Sequence, residues 1–356
     1  LDLDFGGGDG LAPLSAFESR VSGVAIQNDG KILAVSSTES GSFALLRYDA
    51  EGRRDVTFGE KHGYTVTPTS FNGGGAQGLA LEPNDRILLA GYGVNIRHEW
   101  TAILAAYRPN GALNRRFAHG GLLKLRSKLK GETPIELRSV AVLANGHIRA
   151  VGDFDGQIML VGLLPNGRAD PRFGGGDGIV LTEPDRRRHC ACSYAADMQL
   201  DHRGRIVVAA NVIRPQVREP AVLLRYRPNG RLDRSFGHHG LSRTALGSRL
   251  AGKAVAIQPN GCILLAGVYN VPKTGEARVA AVRYRPNGRL DRSFARRGFF
   301  TRDFGYEGVA YAALAQRDGR VVIGGRANLT KPPPSPDEFP SSIYDTAEVF
   351  LIRFMP

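Results

Sequence analysis

The sequence predicts an all-β protein made of six copies of one small antiparallel unit. Three observations carry that expectation. A phenylalanine phrase recurs at Phe5, Phe58, Phe117, Phe173, Phe236 and Phe294, with spacings of 53, 59, 56, 63 and 58 residues. Two series of turns punctuate the chain between those phenylalanines. The 45 Gly and 20 Pro residues favour many turns over long helices.

The elements follow in a fixed order inside each copy, and the copy around residue 270 shows it most clearly. Val255-Ala-Ile-Gln258 runs into the turn Pro259-Asn-Gly261, and Ile263-Leu-Leu-Ala-Gly267 follows. After a loop come Val279-Ala-Ala-Val-Arg-Tyr284 and the turn Pro286-Asn-Gly288. The Phe294 phrase and a weaker strand near Phe299-Phe-Thr-Arg302 complete the copy. Short β-rich runs bounded by Asn-Gly or Asp-Gly turns are antiparallel hairpins. The first turn series is Asn28-Asp-Gly30, Pro83-Asn-Asp85, Asn145-Gly146, Arg203-Gly204, Pro259-Asn-Gly261 and Asp318-Gly319. The second is Asp49-Ala-Glu-Gly52, Pro109-Asn-Gly111, Pro165-Asn-Gly167, Pro228-Asn-Gly230 and Pro286-Asn-Gly288.

A four-stranded sheet that is apolar on both faces must be covered on both. Packing such sheets face to face around an axis satisfies every copy, which is a β-propeller. The expected architecture is one domain over residues 1–356, a six-bladed β-propeller with four-stranded antiparallel blades. The blades fall at about 15–68, 69–125, 126–182, 183–245, 246–303, and 304–356 joined by 1–14. The last assignment arises because Phe350-Leu-Ile-Arg-Phe354 lacks a following phrase, whereas Leu1-Asp-Leu-Asp-Phe5-Gly6 is such a phrase. The N-terminal strand is therefore expected to close the last blade, which also removes an open edge.

The Gln-x-Asp/Asn-Gly, Arg-Tyr-x-Pro-Asn-Gly and Leu-Asp-x-x-Phe-Gly phrases resemble the bacterial delta-60 repeat family, most closely at 221–240 and 279–294. The copy with Leu163-Leu-Pro-Asn-Gly167 departs by lacking Arg-Tyr. The strand order is also similar to NHL-type propellers. That likeness implies that the strand of type Gly23-Val-Ala-Ile-Gln27 is innermost and the one after Phe-Gly outermost. The delta-60 resemblance implies a propeller that is often exported, and no defined activity. Secretion, the periplasm or the cell surface is the expected location.

Composition bounds the function further. The chain holds 42% hydrophobic and 23% charged residues, too apolar for a disordered protein. No apolar run reaches the roughly 18 residues of a membrane span. Lys and Arg number 47 against 34 Asp and Glu, a net charge of +13 carried mostly by Arg. Such a surface suits nucleic acid, anionic lipid or acidic glycan, or simply reflects repeated turn motifs. No aromatic–basic alternation of the single-strand binders is present, which disfavours nucleic acid. The recurring sets Arg225/Arg227/Arg231/Arg234 and Arg283/Arg285/Arg289/Arg292, with Asp233 and Asp291 at matching positions, are expected to fix turns. Three cysteines exclude a disulfide framework. Cys262 reads as core. Cys190 and Cys192, after Arg186-Arg-Arg188-His189, read as a plain loop, a reactive thiol or a weak metal site.

In a meander the tight turns share one end of each blade and the remaining, variable loops share the other. Ligands are expected on the variable-loop end, because loops on a rigid frame carry function. The residues two before each first-strand Val-Ala pair should line a channel mouth there: Ser22, Gln77, Arg138, Ala196, Lys253 and Tyr311, with Asp197 alongside. Gln77, Arg138 and Lys253 would suit an anion, or the channel is simply solvated. Tyr92, Trp100, Tyr194, Tyr269, Tyr306 and Tyr344 share that end and would stack sugars or bases, or finish the blade ends. The Pro-rich stretch 331–346 is expected to form a lid, a partner contact or a flexible loop.

No nucleophile elbow, zincin or kinase set is present. The expected function is a non-catalytic binding or scaffold module for an anionic ligand, a glycan or a protein, with no cofactor. The alternative is a hydrolase or lactonase at the channel mouth. It would use Asp153, Asp197 or Asn211 with a divalent cation, as a likeness to gluconolactonases or paraoxonases implies.

Overall fold

In a computed structural model, residues 4–6, 12, 21–59, 62–126, 134–184, 192–213, 221–243, 250–272, 274, 276–305, 307–328 and 347–356 are described. Every regular element among them is a β-strand, so none is a helix long and apolar enough to cross a membrane. The chain divides into two compact units, Leu1–Thr182 and Glu183–Pro356.

The first unit holds three four-stranded antiparallel meanders. The first sheet is β1 (Gly23–Ile26), β2 (Ile32–Ser37), β3 (Phe43–Tyr48) and β4 (Tyr64–Thr67). The second is β5 (Gly73–Leu81), β6 (Ile87–Val94), β7 (Trp100–Tyr107) and β8 (Leu122–Arg126). The third is β9 (Ile135–Val142), β10 (Ile148–Phe154), β11 (Gln157–Leu163) and β12 (Ile179–Thr182).

The second unit repeats the plan. Its fourth sheet is β13 (Cys192–Leu200), β14 (Ile206–Ile213), β15 (Ala221–Tyr226) and β16 (Leu241–Arg243). The fifth is β17 (Leu250–Ile257), β18 (Ile263–Asn270), β19 (Ala277–Tyr284) and β20 (Phe299–Arg302). The sixth has three described strands, β21 (Glu307–Ala315), β22 (Val321–Asn328) and β23 (Ala347–Phe354). One parallel pair, Ala277 with Glu307, links the fifth and sixth sheets.

Strand alternation explains the burial. On the second sheet, Leu88, Ala90, Ala102, Leu104 and Ala106 pack against Leu137, Val140, Ala150 and Val161 of the third. Their neighbours Ile87, Leu89, Ile103, Ala105 and Tyr107 point the other way, onto Leu33, Val35, Phe43 and Leu45 of the first. Successive side chains on a strand face opposite sides, so an uninterrupted apolar run is buried on both. The same sandwiching joins the fourth sheet to the fifth and the fifth to the sixth. The first and last sheets each keep exposed apolar side chains: Val24 and Ile26 on β1, Leu314 on β21, and Val349 and Leu351 on β23.

A repeated latch joins consecutive sheets at the tight-turn end. The Gly59 N–H donates to Asn110 O at 3.0 Å, and the Phe58 ring lies against Gly111. Ala118 donates to Asn166 O at 2.8 Å with Phe117 on Gly167, and Gly237 donates to Asn287 O at 2.8 Å with Phe236 on Gly288. Phe5 and Gly6 make the same contact with Gly52 and Glu51 O (2.7 Å). The phrase at the chain start thus sits on the first sheet as other phrases sit on the sheet that follows them. Residues 1–3, 7–11 and 13–20, where the closing strand is expected, lie outside the described residues.

An arginine lies over the Phe58, Phe173, Phe236 and Phe294 rings. Arg47 Nε donates to Asp55 at 2.9 Å, its guanidinium lies 4.5 Å from the Phe58 ring centroid, and Nη1 reaches Pro109 O at 2.8 Å. Arg225–Asp233 over Phe236 and Arg283–Asp291 over Phe294 repeat the pair, each with a 2.8 Å contact. This supports the turn-fixing expectation for Arg225 and Arg283. In the third sheet Gly162 occupies the arginine position, and Arg149 reaches Asp170 from the neighbouring strand at 3.0 Å. In the second sheet the two positions hold Ala106 and Asn114, so cation and anion are absent together.

Two outcomes follow. Gly111 has φ +87° and a Cβ there would meet Phe58 at 2.6 Å, whereas Gly120 has φ +66° and open space around it. Gly120→Ala carries only backbone strain, about 1 kcal/mol, and Gly111→Ala adds the displaced latch, about 2 kcal/mol more, in urea unfolding. Burial pushes the Asp55 carboxyl up, but Thr57 hydrogen bonds and the Arg47 charge overcome it and bring its pKa to about 2. A depressed folded pKa gives stability that is complete above the unfolded value and lost as pH falls toward 2. The unfolding midpoint should therefore drop steadily below pH 4, and Asp55→Asn should flatten that slope.

Candidate functional site

At the variable-loop end, the first strands share one irregularity. Their register against the second strands shifts at Ala76/Gly78, Leu137/Ser139, Ala195/Asp197, Gly252/Ala254 and Ala310/Ala312. The extra residues are Gln77, Arg138, Ala196, Lys253 and Tyr311, the set expected from sequence to line a mouth. Ser22 stands in the same relation, donating to Val35 O while Gly23 already lies opposite Val35. A bulge bends the strand and re-aims a side chain. Glycines on the second strands make room for it. A Cβ at Gly91, Gly152, Gly267 or Gly325 would fall 1.8 to 2.1 Å from the carbonyl oxygen of Gly75, Glu136, Ala251 or Val309.

In the first unit, the bulges of the second and third sheets come together. Gly78, next to Gln77, abuts the Arg138 carbonyl. Tyr92 and Trp100 stack with ring centroids 5.1 Å apart and planes 19° apart. Both are half-buried, and Trp100 packs on the core shared with the third sheet. Burial and the Glu136 charge push the Tyr92 hydroxyl pKa up, opposed by Arg138, which places the aromatic pair beside the charged cluster. Arg138 Nε donates to Asp153 at 2.7 Å and its Nη2 donates to Glu136. Glu136 and Asp153 are directly opposite across β9 and β10.

This corrects the electrostatics expected at Arg138. It is not a free cation awaiting an anion, since it already serves two carboxylates and the trio carries net charge −1. Glu136 was missed from sequence. Its signal was the strand pairing, since it faces Asp153 only once the bulge sets the register. The connection 95–99 is ordered by Asn95, whose Oδ1 accepts from the Arg97 and Glu99 N–H groups and whose Nδ2 donates to Glu99 at 2.7 Å.

In the second unit the expected polar residues act as joints. Asn211 is fully buried; its Nδ2 donates to Gly252 O (2.9 Å) and its Oδ1 accepts from Gly252 N–H (2.8 Å). Asp197 accepts from the Met198 and Val255 N–H groups at 2.7 and 3.0 Å. Tyr194 lies opposite Asn211, and Tyr269 lies opposite Leu250, packed on the core of the fourth and fifth sheets. Lys253 is half-buried and Tyr311 is 52% exposed.

Tyr306, Cys190, Tyr344 and the stretch 331–346 lie outside the described residues. Cys262 is half-buried one residue ahead of β18, and burial raises its thiol pKa against the Arg283 charge. No group of three or more His, Cys, Asp or Glu among the described residues is placed to hold a metal ion. Asp153 is spent on Arg138, and Asn211 uses both amide atoms on backbone. Asp153 and Asn211 therefore offer no assembled oxygen set for a cation.

Residues 27–58 and 258–294 match a family described as a domain of unknown function (DUF5122), beta-propeller. No curated protein matches the chain. Among solved structures, a protein of unknown function from Dyadobacter fermentans is 13% identical, with TM-score 0.53, over 88% of this chain and 91% of that one. The α-L-arabinofuranosidase Arb93A from Fusarium graminearum, solved with an iminosugar inhibitor, is 10% identical with TM-score 0.51, over 96% and 95%. At these identities the likeness shows the fold alone. The fold is a β-propeller of repeated antiparallel sheets.

Removing the Asn211 side chain should test the joint role. Asn211→Ala leaves two buried Gly252 groups unpaired and is expected to cost about 2–4 kcal/mol in denaturant unfolding. Lys253→Ala, on the neighbouring bulge, should cost less than about 0.5 kcal/mol.

Proposed function

We propose that the protein is a non-catalytic glycan-binding propeller whose site is the loop end of the second and third sheets. The observation that carries this reading is the stacked Tyr92–Trp100 pair beside the Glu136–Arg138–Asp153 trio. Aromatic faces suit the C–H faces of sugar rings. Carboxylate oxygens and guanidinium N–H groups together match hydroxyls, which both donate and accept. The trio's net negative charge favours a neutral sugar over the anion first expected there. Both carboxylates spend an oxygen on one guanidinium, and neither stands alone as an acid–base group. That favours binding over hydrolysis at this place.

The finer architecture belongs to the same proposal: six blades, with residues 1–14 supplying the strand that closes the last blade. The seat of Phe5 on Gly52 and the uncovered apolar side chains of the first and last sheets support it. Export from the cell, where such a module would meet glycans, completes the reading.

Trp100 is the only tryptophan in the chain, so its fluorescence reports this site alone. Titration with a panel of neutral oligosaccharides should change that emission saturably. Tyr92→Ala should weaken binding by about tenfold or more, near 1.4 kcal/mol, in calorimetry. No response across the panel, together with chelator-sensitive turnover of lactones or esters, would transfer the assignment to the hydrolase class.

A further inference from the structure

The opposite, tight-turn end of the first unit holds a groove of about 630 Å³ between the second and third sheets. Arg86, Arg108, Arg116, Asn84, Asn114 and Asn166 line it. Its charge differs from that of the other sheets because of Ala106 and Asn114. Where other sheets carry an arginine and its aspartate, the second carries Ala106 and Asn114, so a guanidinium and a carboxylate are both missing.

What remains is a surface of donors. Arg108 and Arg116 are exposed, and neither guanidinium has an anionic partner among the described residues. Arg86 pairs with Glu82 at 2.9 Å, yet its Nε is buried without a hydrogen-bond partner among the described residues. Three guanidinium groups against one carboxylate leave a local charge of +2. The Oδ1 atoms of Asn84, Asn114 and Asn166 accept the N–H groups of Arg86, Arg116 and Arg168, so their NH₂ groups are the ends left to donate. The two proline carbonyls that line the groove are already occupied, Pro109 O by Arg47 and Pro165 O by Arg86. Donors outnumber open acceptors, and guanidinium forks match oxyanions with paired hydrogen bonds.

We propose that this groove binds a tetrahedral oxyanion ester, sulfate or phosphate, carried on a sugar. The lining has no aromatic side chain on which a base would stack, which disfavours a nucleic acid. The corresponding groove between the fourth and fifth sheets, about 470 Å³, acts as an internal contrast. There Arg205 and Arg225 are held by Asp201 and Asp233 at 2.6 and 2.8 Å, so its cations are largely neutralised.

The test is calorimetric titration of the whole chain, at fixed ionic strength, with a sulfated oligosaccharide, a phosphorylated one and the unmodified parent sugar. One or both esters should bind at least about tenfold more tightly than the parent, and the better arm identifies the ester. Arg108→Gln with Arg116→Gln should remove that preference. So should Ala106→Arg with Asn114→Asp, which rebuilds the pair present in the first, fourth and fifth sheets. Thermal melting establishes that each variant is folded, and unchanged Trp100 emission on ester binding separates this groove from the opposite end of the sheets. Equal affinity for ester and parent, or a preference that survives both double variants, would overturn the proposal. Tighter binding of a single-stranded oligonucleotide of matched charge would overturn the assignment to sugars.

Discussion

From the first sheet to the second, the second to the third and the fourth to the fifth, register is held by a phenylalanine from one sheet pressed on a positive-φ glycine in the next sheet's turn. The fit has little slack, because a methyl group on that glycine would enter the ring. The ring is in turn covered by an arginine that an aspartate holds in place and that reaches the next turn's proline carbonyl. Apolar sandwiching supplies most of the stability, but it is non-directional. The latch adds the direction that sandwiching lacks.

The bulge at the other end of each first strand belongs to the same logic. It interrupts pairing, turns one side chain outward and drives a carbonyl toward the second strand, where glycine accommodates it. Structure and candidate function are therefore coupled through one backbone feature. Arg138 meets Asp153 and Glu136 because the bulge brings them there. In the second unit the equivalent places are spent on cohesion, with Asn211 and Asp197 tying backbone groups of the fifth sheet. The two units use one plan for different ends.

The two ends of the first unit also differ in charge. At the variable-loop end, two carboxylates outnumber one guanidinium beside an aromatic pair. At the tight-turn end, an alanine and an asparagine in place of the repeat's ion pair leave a surplus of arginine. Net charge alone points to a uniformly basic surface, yet the arginines over the latch rings, Arg47, Arg149, Arg225 and Arg283, are each paired with an aspartate. The excess becomes available where one copy departs from the pattern.

The sequence by itself determined the repeat, the strand order within each sheet and the turn residues, because those depend on local chemistry: Asn-Gly turns, period-two apolar runs and a recurrent phenylalanine. It also located the first-strand positions of Gln77, Arg138, Lys253 and Tyr311, since a repeat marks equivalent residues whatever their side chains. Only the tertiary structure decided what those residues touch. Glu136 faces Asp153, Arg149 takes the place of an arginine lost at Gly162, and Asn211 bonds a strand of the next sheet. Each of these depends on register and on contacts between segments distant in the chain, and a single residue of slip exchanges the two faces of a strand.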